Sequence, residues 1–223
     1  MQGGSIRNCL KDGVTTQLNT NPWNDRNALL NSYPCNNHDP FAINADIAYG
    51  FTSYGQKGNL QHEQQRGCSC YHLAFTNTAV AGKDLVVQVT NTGDLYNCAN
   101  HFDLQIPGGG FGEVNCCINP NDGSPDPTRA LNGNYIYQFG APAHNGYNWG
   151  PKENQNRGGV TSRAACDTLP LPIRDGCYWR FDWFKNADNP NVNFRRVKCP
   201  IQLTNRSLCK RSDDDNYPLA PGQ

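Results

Sequence analysis

The sequence predicts an all-β domain with minor helices, held together by disulfides. Three observations support this fold class. The 223 residues include 11 cysteines. Charged residues make up only 17% of the chain, while Gly, Asn and Pro are abundant, as is typical of loop-rich β proteins. Several short segments alternate apolar and polar residues and end at Gly, Pro or Asn, a pattern that favours a barrel or a sandwich.

Length and charge restrict the number of domains and the kind of partner. We expect one domain, residues 1–223, because all-β folds of this length are commonly single. The formal net charge is zero, so no long-range field attracts nucleic acid or anionic lipid. No apolar run approaches the ~20 residues that a membrane span needs. We therefore expect neither a nucleic-acid nor a membrane partner. We also expect a monomer that uses no cofactor.

The cysteine spacing favours disulfides over metal. Zinc sites use pairs such as C-x-x-C with matching ligands elsewhere. The close pairs here are Cys68 with Cys70 and the adjacent Cys116 and Cys117, and the 5 histidines are scattered, so we expect no metal site. A disulfide framework and the sequon at Asn205 agree with a secreted, extracellular protein. Because no signal peptide is visible, we expect an upstream segment either to have been removed or not to be included in these residues.

The first third of the chain contains one predicted helix. Residues 1–35 have few periodic apolar positions and are predicted as coil. Residues 40–51 are predicted as an amphipathic helix, because Ile43, Ile47 and Phe51 recur four residues apart.

Alternating segments dominate the remainder. Strands are predicted at 70–76, 84–90, 101–106, 178–184 and 193–199. Loops are expected at 52–67 and at 118–160, and the second is long enough to suggest a functional role. A short helix is expected at 162–168. The acidic tail from Ser212 onward is expected to be loosely held.

Asp103 is a candidate acid. It lies between Phe102 and Leu104 on a short alternating strand before a Gly-rich turn. Because successive side chains of a strand point to opposite faces, we expect its carboxyl on the face opposite these neighbours. A carboxyl partly desolvated beside an aromatic ring can act as a general acid, one of the two carboxyl groups that glycoside hydrolysis needs. From the pattern alone, a surface Asp near a turn is the favoured interpretation.

Several segments resemble glycoside hydrolase family 45 endoglucanases. The clearest are Asn100–Gly110 (NHFDLQIPGGG) and Cys177–Pro190 (CYWRFDWFKNADNP). The others are Val80–Lys83 with Val86–Thr92, and Pro40–Phe51. The resemblance extends from about Cys9 to the C-terminal region.

The resemblance implies a six-stranded double-psi β-barrel with an open groove for β-1,4-glucan, which is hydrolysed with inversion. By motif position, Asp103 is the general acid and Asp94 is the second groove carboxylate. His101 and Asn100 line the groove beside them.

Aromatic residues of the long loop are candidates for sugar contact. Tyr147 and Trp149 either form a sugar platform or pin the loop to the barrel, and both interpretations stay open. Trp179, Trp183 and Phe184 are expected in the core, because large aromatic residues in an alternating strand are more often buried.

The resemblance also implies a set of disulfides. The four expected bonds are Cys9–Cys35, Cys68–Cys209, Cys70–Cys199 and Cys166–Cys177. One further bond should come from Cys98, Cys116 and Cys117. Adjacent cysteines rarely bridge each other, so Cys98 should be one of its partners and one thiol should remain.

The family's Thr-Arg-Tyr-Trp-Asp-Cys-Cys segment, whose Asp is the general base, is not found in these residues. Either the chain is a clipped fragment or this member lacks the segment. The cysteines favour loss, because two of the three cysteines that pair with that segment are also missing; Gly67 stands in the place of one of them.

Two functions follow. The first is an endoglucanase with impaired turnover. The second is a non-hydrolytic glucan-binding or wall-loosening protein similar to expansins, which share the barrel and the acid motif but lack this base. A redox or metal protein is disfavoured by the cysteine spacing.

Overall fold

The computed structural model describes residues 7–9, 13–17, 35–55, 66–93, 101–109, 160 and 162–223. These residues form mostly strands, with two short α-helices and three 3-10 turns. The strands are β1 (Asn8–Cys9), β2 (Thr16–Gln17), β3 (Phe41–Ala42), β4 (Ile47–Gly55), β5 (Cys70–Phe75), β6 (Asp84–Gly93), β7 (His101–Leu104) and β8 (Val192–Val197). The helices are α1 (Leu171–Asp182) and α2 (Ile201–Ser207), and the 3-10 turns are Thr78–Val80, Ala164–Thr168 and Asp214–Asn216.

The chain divides into two compact units. The first contains Pro40–Gln105 and Pro190–Gln223, and therefore strands β3–β8 and helix α2. The second contains Asn8–Asp39 and Ile106–Asn189, and therefore β1, β2 and α1. The single domain predicted for residues 1–223 stays a prediction.

The first unit is built on a six-stranded mixed sheet. Its order is β3-β4-β6-β5-β8, and β7 pairs with β4. Strands β4 and β6 run parallel, and the other pairs are antiparallel. The all-β class with minor helices is confirmed, as are the strands predicted at 70–76, 84–90, 101–106 and 193–199. The short helix expected at 162–168 is present as the 3-10 turn Ala164–Thr168.

Strands at the two ends of this sheet meet through their side chains. Phe102 on β7 and Phe194 on β8 have ring centroids 5.1 Å apart, although these strands are not hydrogen-bonded neighbours. The sheet is therefore strongly curled. This curl agrees with a barrel, while the double-psi connection stays a prediction.

One face of the sheet packs against α2 and the C-terminal segment. Tyr49, Phe51, Val86 and Val197 are almost fully buried there, together with Leu203 of α2. Burial of large apolar side chains like these contributes about 1.5–3 kcal/mol each. The face therefore anchors strand β4 along its first half.

The C-terminal tail is firmly held, so the expectation of a loose tail is wrong. The Asp214 carboxylate is fully buried and accepts the Cys199 N–H, with both oxygens 3.1 Å from the nitrogen. Desolvation by burial raises the pKa of Asp214. The Lys198 N–H donates to the Pro218 carbonyl at 2.8 Å, and the Tyr49 hydroxyl donates to the Pro221 carbonyl at 2.9 Å.

Residues 40–51 form strands β3 and β4, so the predicted helix is wrong. The turn between the strands depends on Asn44, whose side-chain oxygen accepts the N–H groups of Asp46 and Ile47, both at 2.8 Å. Such a turn satisfies the backbone locally and competes with helix formation. The four-residue spacing of apolar residues was therefore coincidental. Residues 52–55 were expected in a loop but belong to strand β4, and residues 56–65 of that expected loop lie outside the described residues.

Residues 178–182 belong to helix α1, so the strand predicted at 178–184 is also wrong. The buried positions Ile173, Gly176, Cys177 and Arg180 have helical spacing. The Arg180 guanidinium donates to the carbonyls of residues 108 and 160 at 3.0 and 3.1 Å. The core burial predicted for Trp179, Trp183 and Phe184 is confirmed.

Four disulfides are present, and they are the four pairs that the resemblance implied. They are Cys9–Cys35, Cys68–Cys209, Cys70–Cys199 and Cys166–Cys177. Cys98, Cys116 and Cys117 lie outside the described residues, as do residues 118–159, for which a loop is predicted. Residues 1–35, predicted as coil, contain a two-residue ladder between β1 and β2.

Candidate active site on strands β4 and β7

The candidate site lies where β7 pairs with the end of β4. Ser53 faces Asp103, Tyr54 faces Phe102, and Gly55 faces His101. Because successive residues of a strand point to opposite sides, this short ladder has two faces. We call the one with Ser53, Gly55, His101 and Asp103 the site face. The other, with Tyr54 and Phe102, is the aromatic face.

Asp103 presents its carboxyl on the site face. Its side chain is 59% exposed, so it is less desolvated than the sequence pattern suggested. The Ser53 hydroxyl donates to Asp103 Oδ2 at 3.2 Å, and His101 Nε2 lies 3.7 Å from the same oxygen. The Thr52 hydroxyl donates to the main-chain carbonyl of Asp103 at 3.0 Å. A carboxyl in this position is anchored at its backbone and open to a ligand.

His101 lies beside Asp103 with its ring across strand β4. The ring occupies the space above Gly55, where a side-chain carbon would overlap Cε1 and Nε2 of the imidazole. The His101 side chain is 22% exposed. Within the part of the chain that the structure describes, neither ring nitrogen makes a hydrogen bond. His101 therefore has unused donor and acceptor capacity next to the carboxyl.

A register shift precedes the site. Along the β4–β6 ladder, Thr52 pairs with Val89 but Ser53 pairs with Asn91. Residue Thr90 is left between them, and its hydroxyl donates to the Thr52 carbonyl at 3.3 Å. Such bulges bend a sheet locally and are common beside active sites. The irregularity begins at the residue that contacts Asp103.

The aromatic face is a packed cluster of rings. Tyr54 stacks on Tyr71 at 5.7 Å and meets Phe102 at 5.0 Å. Phe194 closes the cluster against Phe102, and the Arg66 guanidinium lies 4.5 Å above the Tyr54 ring. Aromatic pairs in these geometries add about 0.5–1.5 kcal/mol each beyond their buried area. The cluster fixes β7 to the sheet from behind the site.

Four of the predicted site residues lie outside the described residues: Asp94, Asn100, Tyr147 and Trp149. Their roles stay predictions. Ser53 and Gly55 were missed by the sequence analysis. Only the pairing of β4 with β7 reveals them, because about fifty positions separate these residues from their partners in the chain.

Two features are absent from the described residues. Over the described ranges, no group of three His, Cys, Asp or Glu side chains has the arrangement of a metal site. In the same ranges, no helix has both the length and the apolar character to cross a membrane.

The family model for glycosyl hydrolase family 45 matches residues 4–125 and 127–210. The chain therefore belongs to glycosyl hydrolase family 45.

Similar proteins agree with this assignment. An endoglucanase of Cryptopygus antarcticus is 42% identical over 207 residues, covering 93% of this chain and 78% of the relative. A putative endoglucanase type K of Fusarium oxysporum is 39% identical over 216 residues, covering 94% of this chain but only 49% of the relative. The crystal structure of the cellulase from the same springtail, C. antarcticus, superposes with a TM-score of 0.68. It is 40% identical, and the match covers 94% of this chain and 88% of that one.

Proposed function

We propose that this protein is a secreted, monomeric endo-β-1,4-glucanase that cleaves its substrate with inversion, using Asp103 as the general acid. The observation that carries the proposal is the Asp103 carboxyl, which stands exposed on a rigid ladder beside His101. A general acid must reach the leaving oxygen of the glycosidic bond, so an open carboxyl on an ordered strand suits the role.

The second carboxyl group decides how fast the reaction runs. An inverting enzyme needs a base about 6.5–9.5 Å from the acid, on the other side of the sugar. We assign Asp94 as a groove carboxylate that stabilises charge rather than as this base. The family's base segment does not occur in residues 1–223. A general base typically contributes about 10²–10⁴-fold to the rate.

Turnover of the polypeptide 1–223 tests this assignment. We expect reducing-sugar release from soluble β-glucan at least ~10²-fold below that of the springtail endoglucanase assayed alongside it. Asp94→Asn should lower the remaining rate further without abolishing it. Equal rates for the two wild-type proteins would mean that another carboxylate of this chain serves as the base.

The alternative is a non-hydrolytic glucan-binding or wall-loosening function, which would need no general base. Calorimetric titration with cellohexaose and xylohexaose separates binding from turnover. For a β-1,4-glucan groove we expect preference for cellohexaose and weak salt dependence, because the net charge is zero. Equal binding of both sugars, or of neither, would contradict a glucan groove. Cellohexaose binding with no Asp103-dependent hydrolysis would favour the alternative.

A further inference from the structure

We propose that Ser53 and Gly55 are positioning residues that set the geometry of the acid. Ser53 fixes the orientation of the Asp103 carboxyl, and Gly55 leaves the space in which His101 lies beside it. The inference rests on the proposed function, since it takes Asp103 as the general acid. It adds that strand β4 orients both side chains of β7 and that Oδ1 of Asp103 is the oxygen that delivers the proton.

We assign Oδ1 as the proton donor because the neighbouring side chains of Ser53 and His101 both approach the other oxygen of the Asp103 carboxyl. The Ser53 hydroxyl and His101 Nε2 both approach Oδ2, at 3.2 and 3.7 Å. Among the described residues, none donates a hydrogen bond to Oδ1. A hydroxyl that holds Oδ2 leaves Oδ1 to carry the exchangeable proton and to face the leaving oxygen.

Ser53 is well placed to impose this orientation. It is paired directly with Asp103 across the ladder, and the preceding residue, Thr52, binds the Asp103 carbonyl at 3.0 Å. The backbone and the carboxyl of Asp103 are thus both held by β4. An exposed carboxyl without the Ser53 hydroxyl would sample other rotamers, and misplacement of a reacting group by about 1 Å can lower a rate by 10²-fold.

Gly55 acts through the space that it leaves empty. A Cβ at this position would overlap the His101 ring, so any other residue would push the imidazole off the strand. The ring would then lose its approach to Oδ2. Gly67 offers a matched comparison, because a Cβ at Gly67 meets nothing within 4 Å.

The experiment measures kcat, KM and cellohexaose Kd for four variants. We expect Ser53→Ala to lower kcat about tenfold, with KM and Kd within about twofold of wild type, because orientation affects the reacting geometry and not binding. Ser53→Thr keeps the hydroxyl and should restore kcat to within about threefold. Gly55→Ala should lower kcat about tenfold, while Gly67→Ala should leave it unchanged.

A second readout keeps the test independent of turnover. In the protein without substrate, Ser53→Ala should change the 13C chemical shift of the Asp103 carboxyl. Gly55→Ala should change the 15N chemical shifts of the His101 ring. Gly67→Ala should change neither shift.

The two claims fail differently. Hydrolysis that depends on Asp103 but is unaffected by Ser53→Ala and Gly55→Ala would overturn the positioning proposal and leave the proposed function standing. Absence of any Asp103-dependent hydrolysis in wild type would overturn the function. In that case the shifts alone decide whether β4 orients the two side chains, and unchanged shifts would contradict it.

Discussion

The two faces of the β4–β7 ladder differ in how tightly their side chains are held. On the site face, the Asp103 side chain is 59% exposed and is approached by one hydroxyl and one imidazole. On the aromatic face, Tyr54 is 1% and Tyr71 is 7% exposed, within a continuous cluster of rings. Neighbouring residues of one strand therefore serve different purposes.

The difference indicates that stability and chemistry are carried by separate side chains on a shared backbone. Burial and ring packing fix the strand, whereas the exposed carboxyl adds little to the folded state. Substitutions behind the site should consequently change the free energy of unfolding, and substitutions on the site face should change turnover. The following predictions test this separation.

Among the variants proposed here, the largest loss of stability should come from removing the Cys70–Cys199 disulfide. This bond joins residues 129 apart in sequence, and closure of a loop of that length constrains the unfolded chain strongly. We expect the double variant Cys70→Ala/Cys199→Ala to lower the free energy of unfolding by about 4 kcal/mol in chemical denaturation. Its kcat, measured well below the transition, should stay within about twofold of wild type.

The Cys166–Cys177 disulfide provides the control, because it joins residues only 11 apart. The corresponding double Ala variant should lose less free energy of unfolding. A loss of turnover in the folded Cys70/Cys199 variant would contradict the separation of stability from catalysis, because the disulfide would then affect both.

A somewhat smaller loss is expected from Tyr71→Ala on the aromatic face. Tyr71 contacts Tyr54, Phe102 and Phe194, and its removal would leave a cavity among rings. We expect a loss of about 3 kcal/mol in unfolding free energy, seen as a Tm lower by about 10 °C in calorimetry. Tyr71→Phe, which keeps the ring, should lose far less. Equal losses for the two variants would assign the effect to the hydroxyl.

The smallest effect concerns pH. Desolvation raises the pKa of Asp214 in the folded protein above its unfolded value of about 3.9. Below that unfolded pKa, protonated Asp214 therefore makes its full favourable contribution to the free energy of unfolding. That contribution is lost as pH rises through the folded pKa. The hydrogen bond from the Cys199 N–H and the charges of Arg196 and Lys210 lower the pKa of Asp214, whereas the charge of Asp215 raises it.

Asp214→Asn should therefore gain Tm relative to wild type as the pH is raised from 4 to 7, with kcat unchanged. Thermal scans at several pH values would measure this trend. A difference in Tm that stays constant with pH would show that Asp214 does not titrate differently in the folded and unfolded states.

Much of the sheet could be predicted from sequence. The β7 segment alternates apolar and polar residues, and the β6 segment is a run rich in β-branched residues that is buried from Leu85 to Val89. The errors arose where a local pattern had two interpretations. At residues 40–51, apolar residues four apart suggested a helix, but Asn44 closes a turn between strands. At 178–184, alternation suggested a strand, whereas the preceding Ile173 to Arg180 spacing is helical.

The candidate site was predictable only in part. Asp103 and His101 stand two positions apart on one strand, so a short motif contains both. Ser53 and Gly55 belong to another strand, and their relation to β7 depends on a register set by long-range pairing. The sequence around Ser53 or Gly55 does not indicate that either residue lies opposite β7.

The most direct test of the central claim is the Asp103→Asn variant, assayed together for turnover, cellohexaose binding and Tm. The amide keeps the shape of the side chain but has no proton to transfer. The account predicts that hydrolysis of soluble β-glucan falls by at least ~10²-fold, while the cellohexaose Kd stays within about twofold and the Tm is unchanged. Wild-type turnover in this variant, or a loss of turnover that follows a collapse of Tm, would contradict it.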